Sequence, residues 1–204
     1  MTRVKICGLM ELEDVKTAVD SGADAIGFVF APSRRQLTVE TAKKLASAVP
    51  NDVLRIGVFV NETPDEVNRI AGEVSLDMVQ LHGDEAPEYV RQIFLPTIKA
   101  LSIKSFEDVR KASQFEVDYF LFDAPGVEFR GGSGQSFDWK LLEKANIPLK
   151  KVILAGGLNE SNVREAIKTV NPFMVDVSSG VETEQRKDAV KIRTFIRAVR
   201  GEER

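Results

Sequence analysis

The stretch VILAGGLNESNVREAIKTVNPFMVDVSSG, residues 152–180, contains one complete strand–helix–strand unit. Short apolar runs of strand length open and close it, at residues 152–154 and 173–177. Between them, apolar residues recur at the i, i+3, i+4 and i+7 spacing of one helix face, at Val163, Ala166, Ile167 and Val170. Asn159 precedes this face as a predicted N-cap. Two strands joined through a helix are predicted to pair in parallel.

The same unit recurs along the whole chain. Eight short runs rich in β-branched and aromatic residues are predicted to be strands, at residues 3–6, 25–30, 55–60, 78–81, 97–101, 119–122, 152–154 and 173–177. Eight strand–helix units without a linker predict a single (β/α)₈ barrel domain over residues 1–204. An open doubly wound sheet is the alternative. It is disfavoured because Cys7-Gly8-Leu9 follows the first strand, in place of a Gly-x-Gly-x-x-Gly loop.

The composition is typical of a globular protein that binds neither nucleic acid nor membranes. The 204 residues carry a net charge of −3, from 28 basic and 31 acidic residues without a block of one sign. No apolar run approaches the roughly 20 residues that span a bilayer, and residues 1–8 lack the apolar core of a signal peptide. The single cysteine permits no disulfide within the chain and predicts a reducing compartment, the cytoplasm.

The carboxyl ends of the strands are where a barrel of this kind places its active site. After the seventh and eighth strands, these ends carry Gly156-Gly157 and Ser178-Ser179-Gly180. Glycine lets backbone N–H groups approach an anion closely, and these two loops form a recurrent phosphate site in the fold. The sequence therefore predicts a phosphate site here, although the same glycines would also suit tight turns.

Cys7 and Asp123 are candidates for acid–base chemistry at the same end of the barrel. Cys7 follows the first strand, where a thiolate could act as a nucleophile or a base. Asp123 ends the apolar sixth strand, where low polarity would raise the pKa of its carboxyl and make it a general acid. The alternatives are an inert buried cysteine, and a carboxylate that caps a helix or pairs with a cation. An acid and a base across one mouth favour proton transfer over hydrolysis.

Arg35 and His82 follow the second and fourth strands and are candidate substrate contacts. A guanidinium binds a carboxylate with two parallel hydrogen bonds, although a solvated loop charge is the commoner case. His82 is the only histidine, which excludes a metal site made of several histidines. It lies either in the pocket or in a hydrogen-bonded core, and the sequence does not separate the two.

Lys5 and Asp176 are predicted to form an ion pair inside the barrel. They share the alternating strand face of Cys7 and Ser178, and an unpaired charge there would be costly. Asp176 is in addition a candidate substrate contact. A reactive Lys5 or Lys99 would instead form a Schiff base, which keeps an aldolase as an alternative.

Ordered motifs occur near almost every strand end. They are Val4-Lys5-Ile6-Cys7-Gly8, Gly27-Phe28, Ser33-Arg34-Arg35, Gly57-Val58-Phe59, Val79-Gln80-Leu81-His82-Gly83, Asp123, Gly131-Gly132-Ser133-Gly134, Phe137-Asp138-Trp139, Leu154-Ala155-Gly156-Gly157-Leu158 and Asp176-Val177-Ser178-Ser179-Gly180-Val181-Glu182. Each motif alone is weak, whereas the ordered set is specific. The set resembles the phosphoribosylanthranilate isomerases, the barrel enzymes of tryptophan biosynthesis.

This resemblance implies an Amadori rearrangement of N-(5-phosphoribosyl)anthranilate to 1-(2-carboxyphenylamino)-1-deoxyribulose 5-phosphate. It implies that Asp123 is the general acid and that Cys7 is the general base. Arg35 is expected to bind the anthranilate carboxylate, the glycine loops the phosphate, and His82 and Asp176 other parts of the substrate. No cofactor and no metal is implied. The expected partner is a small phosphorylated molecule, and the expected assembly is a monomer or a homodimer.

Two loops depart from the family's pattern. Family members often carry proline before the arginine that matches Arg35, whereas Arg34 stands here. They also commonly carry Pro-Gly where Glu184-Gln185-Arg186 precede Lys187-Asp188. Because both changes lie in loops, they bear on loop conformation more than on the acid and the base.

Three other functions stay open on the sequence. The first is another phosphosugar barrel enzyme, an epimerase or an aldolase. The second is a non-catalytic barrel that binds a phosphorylated ligand. The third is an isomerase that also accepts the related aminoaldose of the histidine pathway. That substrate carries a second phosphate, whereas the chain has one obvious anion site.

Overall fold

The computed structural model describes residues 1–124, 138–143 and 147–201. Its barrel strands are β1 (Arg3–Cys7), β2 (Ala25–Val29), β3 (Leu54–Phe59), β4 (Met78–Leu81), β5 (Thr97–Ser102), β6 (Tyr119–Asp123), β7 (Val152–Leu154) and β8 (Met174–Val177). Each predicted strand is confirmed to within one residue at either end, because β-branched and aromatic residues suit buried strands. The motif Gly131-Gly132-Ser133-Gly134 and Phe137 lie outside the described residues.

The eight strands form one closed barrel in sequence order, and every pairing is parallel. β8 returns to β1, where Lys5 pairs with Asp176 in the register. Closure excludes the open doubly wound sheet and brings the eight carboxyl ends to one rim. The predicted (β/α)₈ class is confirmed.

Helices follow the barrel strands in alternation. They are α1 (Leu12–Asp20), α2 (Val39–Ala46), α3 (Pro64–Val74), α4 (Pro87–Val90), α5 (Phe106–Arg110), α6 (Lys140–Glu143), α7 (Val163–Val170) and α8 (Ala189–Arg200). Side chains of Thr38, Thr63 and Asp188 accept hydrogen bonds from the first turns of α2, α3 and α8. Within the described ranges, no helix is long and apolar enough to span a membrane.

The predicted N-cap of α7 is wrong. Asn162, not Asn159, immediately precedes the helix. The Oδ1 atom of Asn159 accepts hydrogen bonds from the backbone N–H of Ser161 at 2.9 Å and from its hydroxyl at 2.5 Å. An asparagine that bonds its own neighbours in this way forms a local turn, and the turn postpones the start of the helix.

Two apolar cores lie on the two sides of the barrel wall. The larger packs the helices against the strands and includes Phe28 and Phe195. The smaller lies inside and takes side chains from β2 to β8: Ala25, Ile56, Met78, Ile98, Ala100, Leu121, Ile153, Ala155 and Met174. At this level β1 contributes the fully buried Lys5, in register with Ala25. A buried ammonium requires polar partners, so the interior becomes polar towards the rim.

Candidate active site

A cavity of about 860 Å³ opens at the carboxyl-terminal rim of the barrel. All ten residues predicted for the site line it: Cys7, Arg35, His82, Asp123, Gly156, Gly157, Asp176, Ser178, Ser179 and Gly180. They come from strand ends far apart in the sequence, and the Ser178 hydroxyl, for example, donates to the carbonyl of Cys7 at 3.1 Å. The residues that the sequence predicted for one site therefore do share one cavity.

The loops after β7 and β8 form one side of the cavity, the backbone wall, with Gly156, Gly157 and Gly180. Gly156 and Gly157 have φ angles of +85° and +64°, which favour glycine. A Cβ atom at Gly156 would lie 2.3 Å from the nitrogen of Ala124, and one at Gly180 would lie 1.9 Å from the oxygen of Leu158. Side chains are therefore excluded, and the wall presents backbone groups, as a phosphate site requires.

Cys7 reaches the cavity from a buried position at the end of β1, where it is 8% exposed. Gly27 lies beside it on β2, and a Cβ atom there would lie 2.7 Å from the Cys7 sulfur. Burial raises the pKa of the Cys7 thiol, while the positive charge of Lys5 opposes that shift. The thiolate therefore depends on nearby positive charge.

Asp123 is a buried carboxyl at the end of β6, with 4% of its surface exposed. Burial raises the pKa of Asp123 to about 7, and the charge of Asp176 acts in the same direction. The Nε2 atom of His82 lies 3.6 Å from Oδ2 of Asp123. A carboxyl that keeps its proton near neutral pH is suited to general acid catalysis.

Four buried or partly buried polar side chains, Lys5, Gln80, His82 and Asp176, form a floor network beneath the cavity. The Lys5 ammonium lies 3.1 Å from Oδ1 of Asp176 and 2.8 Å from Oε1 of Gln80. The Nε2 atom of Gln80 lies 3.1 Å from Nδ1 of His82. The predicted ion pair of Lys5 and Asp176 is present. His82 both lines the pocket and belongs to a hydrogen-bonded network, so both positions predicted for it are correct.

The two lysines of the aldolase alternative are engaged in buried ion pairs. Burial opposes the charge of Lys5, but Asp176 and Cys7 outweigh it and raise the pKa of Lys5. Lys99 donates to the carbonyl of Gly83 at 2.8 Å and to Oε2 of Glu85 at 2.6 Å. Schiff-base chemistry needs a neutral amine, and neither lysine lines the cavity. The geometry therefore disfavours an aldolase.

At the edge of the cavity, the carboxylate of Glu182 contacts three cationic side chains, those of Arg34, Arg35 and Lys187. The Nε and Nη2 atoms of Arg35 lie 2.8 and 3.0 Å from Oε1 and Oε2 of Glu182. Arg34 contacts Oε2 at 2.6 Å, and Lys187 contacts Oε1 at 2.8 Å. Burial opposes ionisation of Glu182, but Arg35 and Lys187 outweigh it and lower its pKa to about 2. Arg35 is therefore not a solvated loop charge.

Known proteins share this sequence and architecture. A sequence profile of N-(5′-phosphoribosyl)anthranilate isomerases matches residues 4–198. The enzyme of that name from Bacillus cereus (strain G9842) is 52% identical over 195 residues, which cover 95% of this chain and 96% of that protein. The crystal structure of phosphoribosyl anthranilate isomerase from Thermotoga maritima gives a TM-score of 0.89 at 42% identity, covering 98% of this chain and 100% of the other. The chain belongs to the phosphoribosylanthranilate isomerase family.

Membership of the phosphoribosylanthranilate isomerase family makes the chain an isomerase of tryptophan biosynthesis. A further related structure holds reduced 1-(o-carboxyphenylamino)-1-deoxyribulose 5-phosphate, and it has a TM-score of 0.85 at 41% identity over 98% of this chain and 100% of that one. Within the described part of this chain, no group of three or more His, Cys, Asp or Glu residues is placed to hold a metal ion.

Three polar residues of this site were not predicted from the sequence: Gln80, Glu182 and Lys187. The Lys187 side chain is 3% exposed, and its ammonium donates to the Ser178 carbonyl at 2.9 Å. Burial lowers the pKa of Lys187, and Glu182 opposes the shift. A lysine in a polar loop gives no local signal of burial. Gln80 did give one, because it is a polar residue in a short apolar strand, two positions before His82 on the same face.

The two loops that depart from the phosphoribosylanthranilate isomerase pattern contact each other. Arg34 donates from Nη1 to the carbonyl of Gln185 at 2.9 Å. Gln185 lies in the turn of a hairpin made by β9 (Glu182–Thr183) and β10 (Arg186–Lys187). Glu184 and Gln185 have φ angles of 48° and 65°, as two-residue hairpin turns require, and proline cannot adopt either angle. The two departures thus form one structural unit.

Proposed function

We propose that the chain converts N-(5-phosphoribosyl)anthranilate to 1-(2-carboxyphenylamino)-1-deoxyribulose 5-phosphate, with Asp123 as general acid and Cys7 as general base. Family membership supports the reaction. One observation carries the assignment: the two residues line one cavity from β6 and β1, and burial raises the pKa of Asp123 to about 7. A carboxyl with that pKa both holds and releases its proton at neutral pH.

The acid step opens the ribose ring. Asp123 donates its proton to the furanose ring oxygen while the bond from that oxygen to C1′ breaks. The lone pair of the anthranilate nitrogen forms the C=N bond of an iminium ion, so that no cofactor has to supply electrons. The carboxylate that remains lies near the positive charge of Lys5, which favours it.

The base step removes a proton from C2′. The Cys7 thiolate takes this proton, the C–H electrons form a C1′=C2′ bond, and the resulting enolamine tautomerises to the aminoketone. Burial raises the pKa of Cys7, while Lys5 and Lys187 oppose the shift. The iminium adds a positive charge next to the thiol after the ring has opened. The thiolate is therefore favoured at the stage at which it is needed.

Substrate binding is divided among the other predicted residues. The backbone wall, with Ser178 and Ser179, would hold the phosphate. Arg35 would bind the anthranilate carboxylate through N–H groups that Glu182 does not occupy, since a guanidinium has five. His82 and Asp176 would contact the sugar chain between these two anions. The related complex supports this division, because its ligand carries a carboxylate at one end and a phosphate at the other.

The proposal needs no metal and no cofactor, because one proton enters and one leaves. The ligand is a small phosphorylated molecule, and no role for nucleic acid or a membrane arises. We propose that the barrel is one catalytic domain that acts in the cytoplasm, where Cys7 stays a free thiol. Light scattering would establish whether it is a monomer or a homodimer.

The test follows the loss of anthranilate fluorescence when the purified protein meets N-(5-phosphoribosyl)anthranilate. Cys7→Ala and Asp123→Asn are each expected to lower kcat by about 10²–10⁴-fold, the usual contribution of a positioned acid or base. Asp20→Asn, an exposed change at the end of α1, is the matched control and should keep full activity.

Two results would contradict the assignment. Full turnover in Asp123→Asn would move the acid role elsewhere, and His82 would be examined first. If the wild type binds reduced 1-(o-carboxyphenylamino)-1-deoxyribulose 5-phosphate (the reduced product) tightly but does not turn over the substrate, the barrel only binds a phosphorylated ligand.

A further inference from the structure

Polar contacts lead from the barrel interior to Asp123. The Lys5 ammonium lies 2.8 Å from Oε1 of Gln80, and Nε2 of Gln80 lies 3.1 Å from Nδ1 of His82. The other ring nitrogen, Nε2 of His82, lies 3.6 Å from Oδ2 of Asp123. Lys5 and Gln80 are 0% and 1% exposed, so water does not compete for these bonds.

Hydrogen-bond chemistry fixes the direction of these contacts. An ammonium group has donors and no acceptor, so Lys5 selects the carbonyl end of the Gln80 amide. The NH₂ end of the amide then faces His82, and a donor must meet an acceptor. Nδ1 of His82 is therefore unprotonated, and the neutral ring carries its proton on Nε2. That N–H lies on the side of the ring nearer to Asp123.

We propose that Gln80 is a positioning residue whose amide, oriented by Lys5, holds His82 in the tautomer that directs Nε2–H at the Asp123 carboxyl. This rests on the proposed role of Asp123 as the acid. When Asp123 gives up its proton, Nε2–H stabilises the carboxylate that forms. The distance of 3.6 Å exceeds a hydrogen bond, and it shortens as the charge develops.

The reverse orientation would oppose the reaction. With the proton on Nδ1, the lone pair of Nε2 would face Asp123 and would accept a hydrogen bond from the protonated carboxyl. The protonated form of Asp123 would then be stabilised and the carboxylate that forms on proton donation would not, so donation would be disfavoured. Gln80 is thus expected to affect kcat more than KM, since it acts on proton donation.

The single histidine makes the tautomer directly measurable. Long-range ¹H–¹⁵N NMR correlations of ¹⁵N-histidine-labelled protein at neutral pH show which ring nitrogen carries the proton. The wild type is expected to show Nε2–H with an unprotonated Nδ1. In Gln80→Glu, the carboxylate accepts from Lys5 and from the ring, so Nδ1 is expected to become protonated. A wild type with protonated Nδ1, or an unchanged ring spectrum in Gln80→Glu, would overturn the proposal.

Activity gives the second readout. Gln80→Glu is expected to lower kcat by about 10- to 100-fold, the loss expected for one hydrogen bond to a charged group. Gln114→Glu, the same change at an exposed site, should leave both kcat and the ring spectrum unaltered. If Gln80→Glu does not fold, Gln80→Met serves, because the Nδ1 resonance must shift when its donor is lost. An unshifted Nδ1 would count against the proposal.

The two proposals fail in different ways. An active Asp123→Asn variant would refute the acid role, while the ring spectra would still report the tautomer. An inactive Asp123→Asn variant together with an unchanged spectrum in Gln80→Glu would refute only the role of Gln80.

Discussion

The backbone wall and the floor network border the same cavity but are built by opposite means. Side chains are excluded from the wall, where added Cβ atoms would lie 1.9 and 2.3 Å from neighbouring backbone. The floor consists of side chains that hold one another: Lys5 of β1 contacts Gln80 of β4 and Asp176 of β8, and Gln80 contacts His82. Changes in the wall should therefore act through steric overlap, and changes in the floor through unpaired charge.

The largest effect on stability is expected in the floor. Lys5→Met leaves the carboxylate of Asp176 without its buried cation, which should lower the free energy of unfolding by about 3–5 kcal/mol. Urea denaturation measures this change. The double variant Lys5→Met/Asp176→Leu removes both charges and should recover much of the loss. An equal loss in both variants would show that unpaired charge is not what governs the floor.

Asp123 should also make stability depend on pH. Its folded pKa of about 7 exceeds the ordinary value, so between about pH 4 and pH 7 the folded state binds a proton that the unfolded chain has lost. The free energy of unfolding contributed by this group therefore falls as the pH rises through that window, by an amount on the order of 1–4 kcal/mol.

Asp123→Asn removes this dependence. The variant should be more stable than the wild type at pH 8 and should lose the advantage towards pH 4, in urea denaturation at both values. Equal stability of the two proteins at pH 8 would contradict the raised pKa. A more stable but inactive variant would show that the acid is kept at a cost in stability.

A smaller loss of stability is expected in the wall. Gly180→Ala places a Cβ atom 1.9 Å from the carbonyl of Leu158, which should cost about 1–3 kcal/mol and weaken phosphate binding. Gly72→Ala in α3 meets nothing within 4 Å and should stabilise by about 0.5–1 kcal/mol. Thermal unfolding compares the two variants. If Gly180→Ala unfolds at the same temperature as the wild type, the wall does not require glycine at this position.

The smallest effect should come from the Ser178 side chain, which lies beside the backbone wall in the loop after β8. Ser178→Ala removes the hydroxyl that bonds the Cys7 carbonyl and should cost about 0.5–1.5 kcal/mol in binding of the reduced product. Ser113→Ala, at an exposed position, is the control. Calorimetric titration with the reduced product measures the loss of binding free energy in both variants. If Ser178→Ala loses as much binding as Gly180→Ala, the phosphate is bound through side chains and not through bare backbone.

This contrast also explains what the sequence could predict. The strands were predicted because each is a local run of residues, and the wall because glycines directly after a predicted strand are themselves visible in the local sequence. Asn159 was misassigned because a side chain can bond either to a helix or to its own turn. The partner of Arg35, Glu182, lies 147 positions away, and Gln80 lies 75 positions from Lys5. No local pattern signals such contacts, because they exist only once the barrel closes.

The proposed mechanism requires Asp123 to be protonated in the free enzyme near neutral pH. Carbon-13 NMR of protein labelled in the aspartate carboxyl groups, with Asp123→Asn used to assign the signal, titrates this group directly. We expect a midpoint at about pH 7 in the wild type. A midpoint near 4, the ordinary value for aspartate, would contradict it.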